Sequence, residues 1–228
     1  MKTNCDCQRR SLAVEKKFWS RGFTVVIGSD EAGRGPLAGP VAAGAVAIIS
    51  RANVLKTLKT LLDGVNDSKK LSPCRRRELY GLLTKQARIV WASGLASVQE
   101  IDRMNILQAT KLAMERAINK IVFRLGDVGD DKIACVLDGN FKIDVDYEQI
   151  SVVGGDASVF SIAAASIIAK VTRDNIMERL DSQYPGWGFK VHKGYPTPQH
   201  LGILARHQPT PVHRRSFSPV AQTLRRQA

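Results

Sequence analysis

Residues 27–40 read Ile27-Gly28-Ser29-Asp30-Glu31-Ala32-Gly33-Arg34-Gly35-Pro36-Leu37-Ala38-Gly39-Pro40, and the rest of the chain is organised around them. Just ahead, Thr24 to Ile27 are β-branched and apolar, the composition of a short buried strand. Two acids follow at its end. A carboxylate buried in such a place is costly unless it meets a cation or hydrogen-bond donors, so the pair predicts a cation nearby. Neighbouring strand residues point to opposite faces, so Asp30 and Glu31 can share one ion only if the strand ends or bends between them. Gly33 and Gly35 allow positive φ and close approach of another backbone, while Arg34 between them offers its fixed fork of donors to a phosphate or sugar edge. An isolated acid pair is more often a capped turn with a surface ion pair, so the decision rests on the other segments.

The 228 residues hold 34 Lys and Arg against 21 Asp and Glu, a formal charge of +13 that favours a polyanionic partner. A hydrophobic fraction of 44% is enough for a proper core and excludes general disorder. Cys5, Cys7, Cys74 and Cys135 have no disulfide-framework spacing, and the chain begins without the apolar stretch of a signal peptide, so a cytoplasmic setting is expected. Cys5-Asp6-Cys7 lacks the second pair or nearby His that zinc would need. The small apolar run from Pro40 to Ile49 is too short to span a bilayer, so no membrane role is expected.

Residues 1 to about 22 are polar, basic and weakly patterned (Arg9, Arg10, Lys16, Lys17, Arg21), which predicts a flexible lead-in with one helical turn at most. The remainder, 23–228, reads as one domain with a C-terminal appendage from about residue 183. Val41 to Ile49 predicts a second strand, making a hairpin with the first. Ser72 and Pro73 are an N-cap and first-turn pair opening a helix to about Ala87, which puts Lys69 and Lys70 on a loop at its start, where cations and free N–H groups suit a phosphate. Ile89 to Ala96 predicts a strand, and Ser97-Val98-Gln99-Glu100 a capping box. The spacing of Ile106, Leu107, Leu112, Ala113 and Ala117 gives an amphipathic helix from Asn105 to about Phe123. Lys132 to Leu137 predicts a further strand, ending on Asp138-Gly139-Asn140.

Val152-Val153-Gly154-Gly155-Asp156 then leads into a helix expected over Ala157 to Leu180, whose first half is small and apolar all round and therefore packed in the core. If that helix is continuous, Asp156 and Asp174 lie roughly 27 Å apart and cannot serve one site. Asp156, beside the glycines and at the dipole-positive end, is the better candidate; Asp174 reads as an ion-pair partner of Arg173 or a neighbouring turn. Beyond Gln183 the chain is rich in Pro, Gly, aromatic and basic residues, and Tyr195 between Lys193 and Pro196 suits stacking on a base or sugar while the lysine meets a phosphate, or equally a loop anchor packed on the core.

Asp30, Glu31, Asp138 and Asp156 thus come from three separate element ends. Hard oxygen ligands without His or Cys select Mg²⁺ or Mn²⁺ over zinc. Two such ions about 3.5–4 Å apart stabilise the attacking and leaving oxygens in phosphodiester displacement, so the pattern points to a metal-dependent nuclease or polynucleotidyl transferase.

Taken together, GSDEAGRGPLAGPV (28–41), NDSKKLS (66–72), IDRMNILQAT (101–110), VLDGN (136–140), GDASVFSIAAASIIAKVTRD (155–174), HKGYPT (192–197) and HRRSFSPV (213–220) resemble bacterial ribonuclease HII, the type 2 ribonuclease H, from about Val26 to Val220. The resemblance implies an RNase H-like α/β fold, a mixed β-sheet flanked by helices with a helical C-terminal extension. It implies an endonuclease that cuts the RNA strand of RNA–DNA hybrids and cuts duplex DNA 5′ of a single embedded ribonucleotide, leaving 3′-hydroxyl and 5′-phosphate ends, with roles in ribonucleotide excision repair and primer removal. Asp30, Glu31, Asp138 and Asp156 match its metal-binding carboxylates, for Mg²⁺ or Mn²⁺ with two ions when substrate is bound. Gly33, Arg34 and Gly35 match the segment that reads the 2′-hydroxyl, and Tyr195 the tyrosine that packs on the sugar at the RNA–DNA junction. Lys69, Lys70 and Lys193 are then phosphate contacts.

Two positions depart from the family pattern. Gly154 stands where a lysine is usual, which removes a cation near the acids, and Ser218 replaces a usual glycine. The related ribonuclease HIII carries a sizeable N-terminal substrate-binding domain for which 22 residues leave no room. A non-catalytic hybrid-binding protein gains nothing from acids beside phosphates. A monomer without an obvious sliding-clamp motif is expected.

Overall fold

A computed structural model describes residues 12–50, 71–126 and 132–227, with part of the stretch 56–65. Lys69 and Lys70, like Cys5 and Cys7, lie outside the described residues. The centre is a five-stranded sheet in the order β3-β2-β1-β4-β5. Strands β1 (Val25–Ala32), β2 (Val41–Ile49) and β3 (Ile89–Ala96) form an antiparallel meander, and β4 (Ile133–Asp138) and β5 (Glu148–Val152) run parallel to β1 on its other side.

The central strands read as continuous apolar runs because both faces are covered. On one face, Val25, Ile27, Ala43, Ala45 and Ala47 pack against Ala113, Met114, Ala117 and Ile118 of a helix at Ile106–Leu125. On the other, Val46 and Ile48 meet Ala164, Ala165 and Ile168 of a helix at Phe160–Gln183. That second helix lies unusually close to the sheet. A methyl group at Gly44 would strike the Ala165 carbonyl, so the small residues on both surfaces are what permit the approach.

Between these elements the caps fall where the sequence put them. With helices numbered in chain order, α1 spans Ala13–Ser20 and α2 Pro73–Lys85, capped by Ser72 Oγ, which accepts from the Arg75 N–H at 3.3 Å. Helix α3, Val98–Met104, begins with the full capping box of Ser97 and Glu100. The Ile106–Leu125 helix is α4, a short turn at Gly155–Ser158 is α5, and the Phe160–Gln183 helix is α6. The C-terminal part is helical, with α7 Phe189–His192, α8 Pro198–Leu204 and α9 Ser218–Gln227 around a small core of Leu37, Met177, Trp187, Phe189, Leu204 and Val220.

Two expectations need correction, and one strand went unforeseen. The described part of the lead-in holds an eight-residue helix where one turn was expected: α1 and its cap bury Phe18 and Leu12, and the buried Glu15 Oε1 accepts from the Ser161 N–H at 2.9 Å, capping α6 from another element. The helix expected from Ala157 is broken at Val159, which is extended (φ −108°, ψ 124°), so Asp156 belongs to the short turn α5 and not to the long helix. Strand β5 was not foreseen; Glu148–Val152 is a half-exposed edge with little apolar signal. Of the two partners expected for Asp174, the neighbouring turn supplies it: Lys170 at 2.7 Å, with Arg76 more loosely at 3.7 Å.

Candidate active site

The β1–β4 ladder ends at Ser29 and Leu137, so Asp30 and Asp138 are the next residues along two adjacent strands at the point where their pairing stops. Strand β1 itself continues, paired to β2 as far as Ala32 and Ala42. The expected end or bend between Asp30 and Glu31 is therefore absent. The loss of β4 beside them opens the edge over which both side chains reach one place, and single carboxylate oxygens of Asp30, Glu31 and Asp138 lie within 4.8 Å of one another. Strand β5, paired to β4 through Asp138 and Val152, then delivers the Gly154-Gly155-Asp156 turn. Its Gly155 N–H donates to Asp138 Oδ1 at 2.8 Å, and buried Asp156 stands close enough to act on Asp30 electrostatically.

Charge is concentrated here against its preference. Burial pushes the Asp30 carboxyl well above the usual range, and the neighbouring charges of Glu31, Asp138 and Asp156 push it the same way. One contact opposes this: the Glu31 N–H donates to Asp30 Oδ1 at 2.6 Å. Such a cluster of hard oxygen donors, without His or Cys, fits a divalent cation of the Mg²⁺ or Mn²⁺ kind.

Next to the acids, residues 33–40 form a loop gripped from behind by two buried arginines. Arg214 donates from Nη2 to the Gly33 carbonyl at 2.6 Å, from Nη1 to Arg34 at 2.9 Å and from Nε to Gly39 at 2.9 Å. Arg173 donates to the carbonyls of Pro40, Ala38 and Lys193 at 3.1, 3.1 and 2.9 Å. Burial lowers Arg173 to about 10 and Arg214 to about 9, so both remain charged at neutral pH. Gly33 sits at φ +99°, and a Cβ there would strike the Arg173 guanidinium.

Glu31, Gly33, Arg34, Gly35, Lys170 and Tyr195 line one cavity of about 230 Å³. Arg34 is exposed and stands 3.5 Å from Glu31 Oε1, and Tyr195 is 43% exposed with its ring 6.0 Å from the Arg173 guanidinium carbon. Lys193 is elsewhere: its ammonium pairs with Glu178 at 3.0 Å in a second cleft with Pro73, Arg76 and Arg77, at the start of α2. Gly154, at φ +66°, has open space where a side chain would be.

A sequence model of the family described as ribonuclease HII matches residues 27–220, from the strand bearing the first acids into the last helix. The chain belongs to the ribonuclease HII family. It is 43% identical to the ribonuclease HII of Myxococcus xanthus over 95% of this chain and 69% of that one. To the ribonuclease HII of Coxiella burnetii strain Dugway it is 46% identical over 87% and 90%. The crystal structure of ribonuclease H2 from Pyrococcus horikoshii matches with a TM-score of 0.67 at 28% identity, covering 89% of this chain and 98% of that one. A ribonuclease HIII structure described as in complex with Mn²⁺ shares the fold, with a TM-score of 0.70 at 20% identity over 89% of this chain and 70% of that one. As a ribonuclease HII, the protein is an endoribonuclease acting on RNA–DNA hybrids. Among the described residues no helix is long and apolar enough to cross a membrane.

Sequence reasoning missed three residues of this ribonuclease HII. Lys170, Arg173 and Arg214 all lie inside the matching motifs, yet nothing in their local spacing reveals that the first enters the cavity and the other two hold its floor.

Proposed function

We propose that the protein cuts duplex DNA on the 5′ side of an embedded ribonucleotide, and the RNA of longer hybrids, with Asp30, Glu31, Asp138 and Asp156 as the catalytic and metal-holding carboxylates. The observation that carries this reading is the shared cavity: Glu31 lies beside Gly33, Arg34, Gly35 and Tyr195 on one wall. Scission and inspection of the sugar would then occur within one nucleotide of each other.

The Gly33-Arg34-Gly35 loop presents little side chain and lets its backbone approach the sugar edge in a wide minor groove, where the 2′-hydroxyl is displayed. Because Arg214 and Arg173 occupy the loop's carbonyls from behind, the loop meets substrate already in place. The exposed face of Tyr195 supports the sugar at the RNA–DNA junction, and Arg34 is free to turn from Glu31 to a phosphate. Lys193 and Arg77 hold the duplex backbone farther along, with Lys69 and Lys70, shortly before Pro73 in sequence, doing the same.

The carboxylates would hold Mg²⁺ or Mn²⁺, two ions with substrate bound, in keeping with the Mn²⁺ described for the ribonuclease HIII structure. Bound there, the ions would lower the pKa of a water and neutralise charge developing on the phosphate oxygens. Products would carry 3′-hydroxyl and 5′-phosphate ends, which suits ribonucleotide excision and primer removal in the cytoplasm. A labelled DNA duplex with one internal ribonucleotide, incubated with Mg²⁺, Mn²⁺ or EDTA beside an all-DNA control, tests the reading. The expected result is one metal-dependent cut 5′ of the ribonucleotide; tight binding without a cut under either metal would overturn it.

A further inference from the structure

His192, His200 and His213 are buried together beneath the C-terminal segment, packed against Trp187 and Phe189. Two of them form one line of hydrogen bonds. The Thr210 N–H donates to His213 Nδ1 at 3.0 Å, and the Thr210 hydroxyl stands 2.8 Å from the same nitrogen. His213 Nε2 meets His200 Nε2 at 3.1 Å, and His200 Nδ1 meets the Tyr195 carbonyl oxygen at 2.9 Å.

The ends of the line assign its protons. A backbone N–H can only donate and a carbonyl can only accept. His213 therefore accepts at Nδ1 and carries its proton on Nε2, while His200 accepts at Nε2 and donates from Nδ1. The line is complete only with both rings neutral and every bond running from residue 210 toward residue 195. An added proton has nowhere to go, since each lone pair already faces a donor. His192 is settled the same way, accepting at Nδ1 from the Gly194 N–H at 3.1 Å and donating from Nε2 to the Trp187 carbonyl at 2.7 Å.

One end reaches the cavity and the other adjoins a residue that holds the cavity's loop. Tyr195 lines the cavity directly, and the residue after His213 is Arg214, which grips Gly33 and Arg34. Between them, Ala38 and His213 form an isolated bridge, and the Leu37 N–H donates to the Gly194 carbonyl at 2.8 Å.

We propose that His200 and His213 are positioning residues for ribonucleotide recognition, coupling the tyrosine loop to the segment that holds the Gly33-Arg34-Gly35 loop. This rests on the functional reading above. The titratable groups near the pair are His192, stacked on His200 with centroids 4.3 Å apart, and His207 beside Trp187, while the guanidinium of Arg214, next in the chain, is turned to the Gly33, Arg34 and Gly39 carbonyls. None is an anion, so none favours an added proton; burial, then the nearby His192, lowers His200, and burial, then His200 and His192, holds His213 at about 4.

The test compares His213→Phe, which deletes the donor to His200, with His213→Gln, whose amide keeps it, each alone and with Tyr195→Ala. On a duplex with one ribonucleotide, His213→Phe should lower kcat/KM about tenfold or more, and His213→Gln only about threefold, from the unpaired His200 nitrogen in the first case. With Tyr195→Ala already present, His213→Phe should add less than about twofold, because both changes act on one element. Additive losses, or equal losses on single-ribonucleotide and all-RNA hybrid substrates, would overturn the proposal. Heteronuclear NMR of the imidazole nitrogens in the wild-type protein is the second readout: His200 should carry its proton on Nδ1 and His213 on Nε2, and a cationic or exchanging pair at neutral pH would also overturn it. A wild-type protein that cuts neither substrate removes the functional reading itself, a distinct outcome.

Discussion

Arg214 and Gly33 are 181 residues apart in sequence, yet a guanidinium N–H of Arg214 donates to the Gly33 carbonyl at 2.6 Å. The C-terminal segment thereby builds the floor under the loop that follows the first two acids. No carboxylate is hydrogen-bonded to Arg214 among the described residues; three carbonyls hold the charge instead. The contact therefore depends on the planar fork and not on charge alone.

Arg214→Lys keeps the charge and three donors but gathers them on one nitrogen, which cannot span the carbonyls that the Nε, Nη1 and Nη2 of the planar fork reach. We expect it to cost about 2–4 kcal/mol of stability through unsatisfied buried groups, and kcat/KM on a single-ribonucleotide duplex to fall about tenfold. Thermal unfolding and steady-state kinetics on the same preparation check both. Unchanged values would show that the loop holds its shape without the fork.

Asp30→Asn removes one negative charge from a buried cluster whose oxygens lie within 4.8 Å. The metal-free variant should be more stable than the wild type by about 1 kcal/mol, or about 2–4 °C in Tm. Activity should fall by about 10²-fold or more. Added Mn²⁺ should raise the Tm of the wild type and leave the variant nearly unmoved. Differential scanning fluorimetry with and without EDTA reads all these shifts.

Glu15→Ala removes the acceptor that α1 supplies to the first turn of α6, at 2.9 Å from the Ser161 N–H. The expected loss is about 1–2 kcal/mol, the usual range for a helix cap. Glu15→Gln retains an acceptor oxygen and drops a carboxylate whose pKa burial raises, so it should equal or exceed the wild type. Chemical denaturation separates the two, and equal losses would discount the cap.

The histidine line gives stability a pH dependence of known sign. His213 is held at about 4, below its ordinary 6.5, so as pH falls the unfolded chain takes up the proton first. Its contribution is complete above pH 6.5 and is lost on descent to about pH 4, with an upper size of about 3 kcal/mol. The raised carboxyls of Glu15 and Asp30 act in the opposite direction. The diagnostic is thus the difference between wild type and His213→Gln: the variant should show the shallower loss of stability from pH 6.5 to 4, and parallel curves would contradict the assignment.

Local signals found most of the frame. The caps at Ser72 and Ser97, the apolar runs of β2 and β3, and the small-residue stretch of α6 depend on neighbours in sequence, and they stand where the residues predict them. Strand β5 escaped because an exposed edge carries no apolar period, and the break at Val159 because a β-branched residue is equally at home in a helix of the core. The acids beside glycines at Asp30-Glu31, Asp138 and Asp156 were visible one by one.

What the sequence by itself determined is therefore most of the elements, the hard-oxygen character of the acidic residues and, through motif order, the family. Only the tertiary structure decided how those acids meet and what holds the loop beside them. Asp30 and Glu31 converge because β4 stops at Asp138 while β1 runs on. The loop is fixed by Arg173 and Arg214, and its link to Tyr195 by a line of neutral histidines. These are contacts between residues far apart in the chain, made by donors whose partners are backbone carbonyls, and a carbonyl is present at every residue. No spacing or residue type marks which one will be chosen; the packing of the C-terminal helices against the 33–40 loop does.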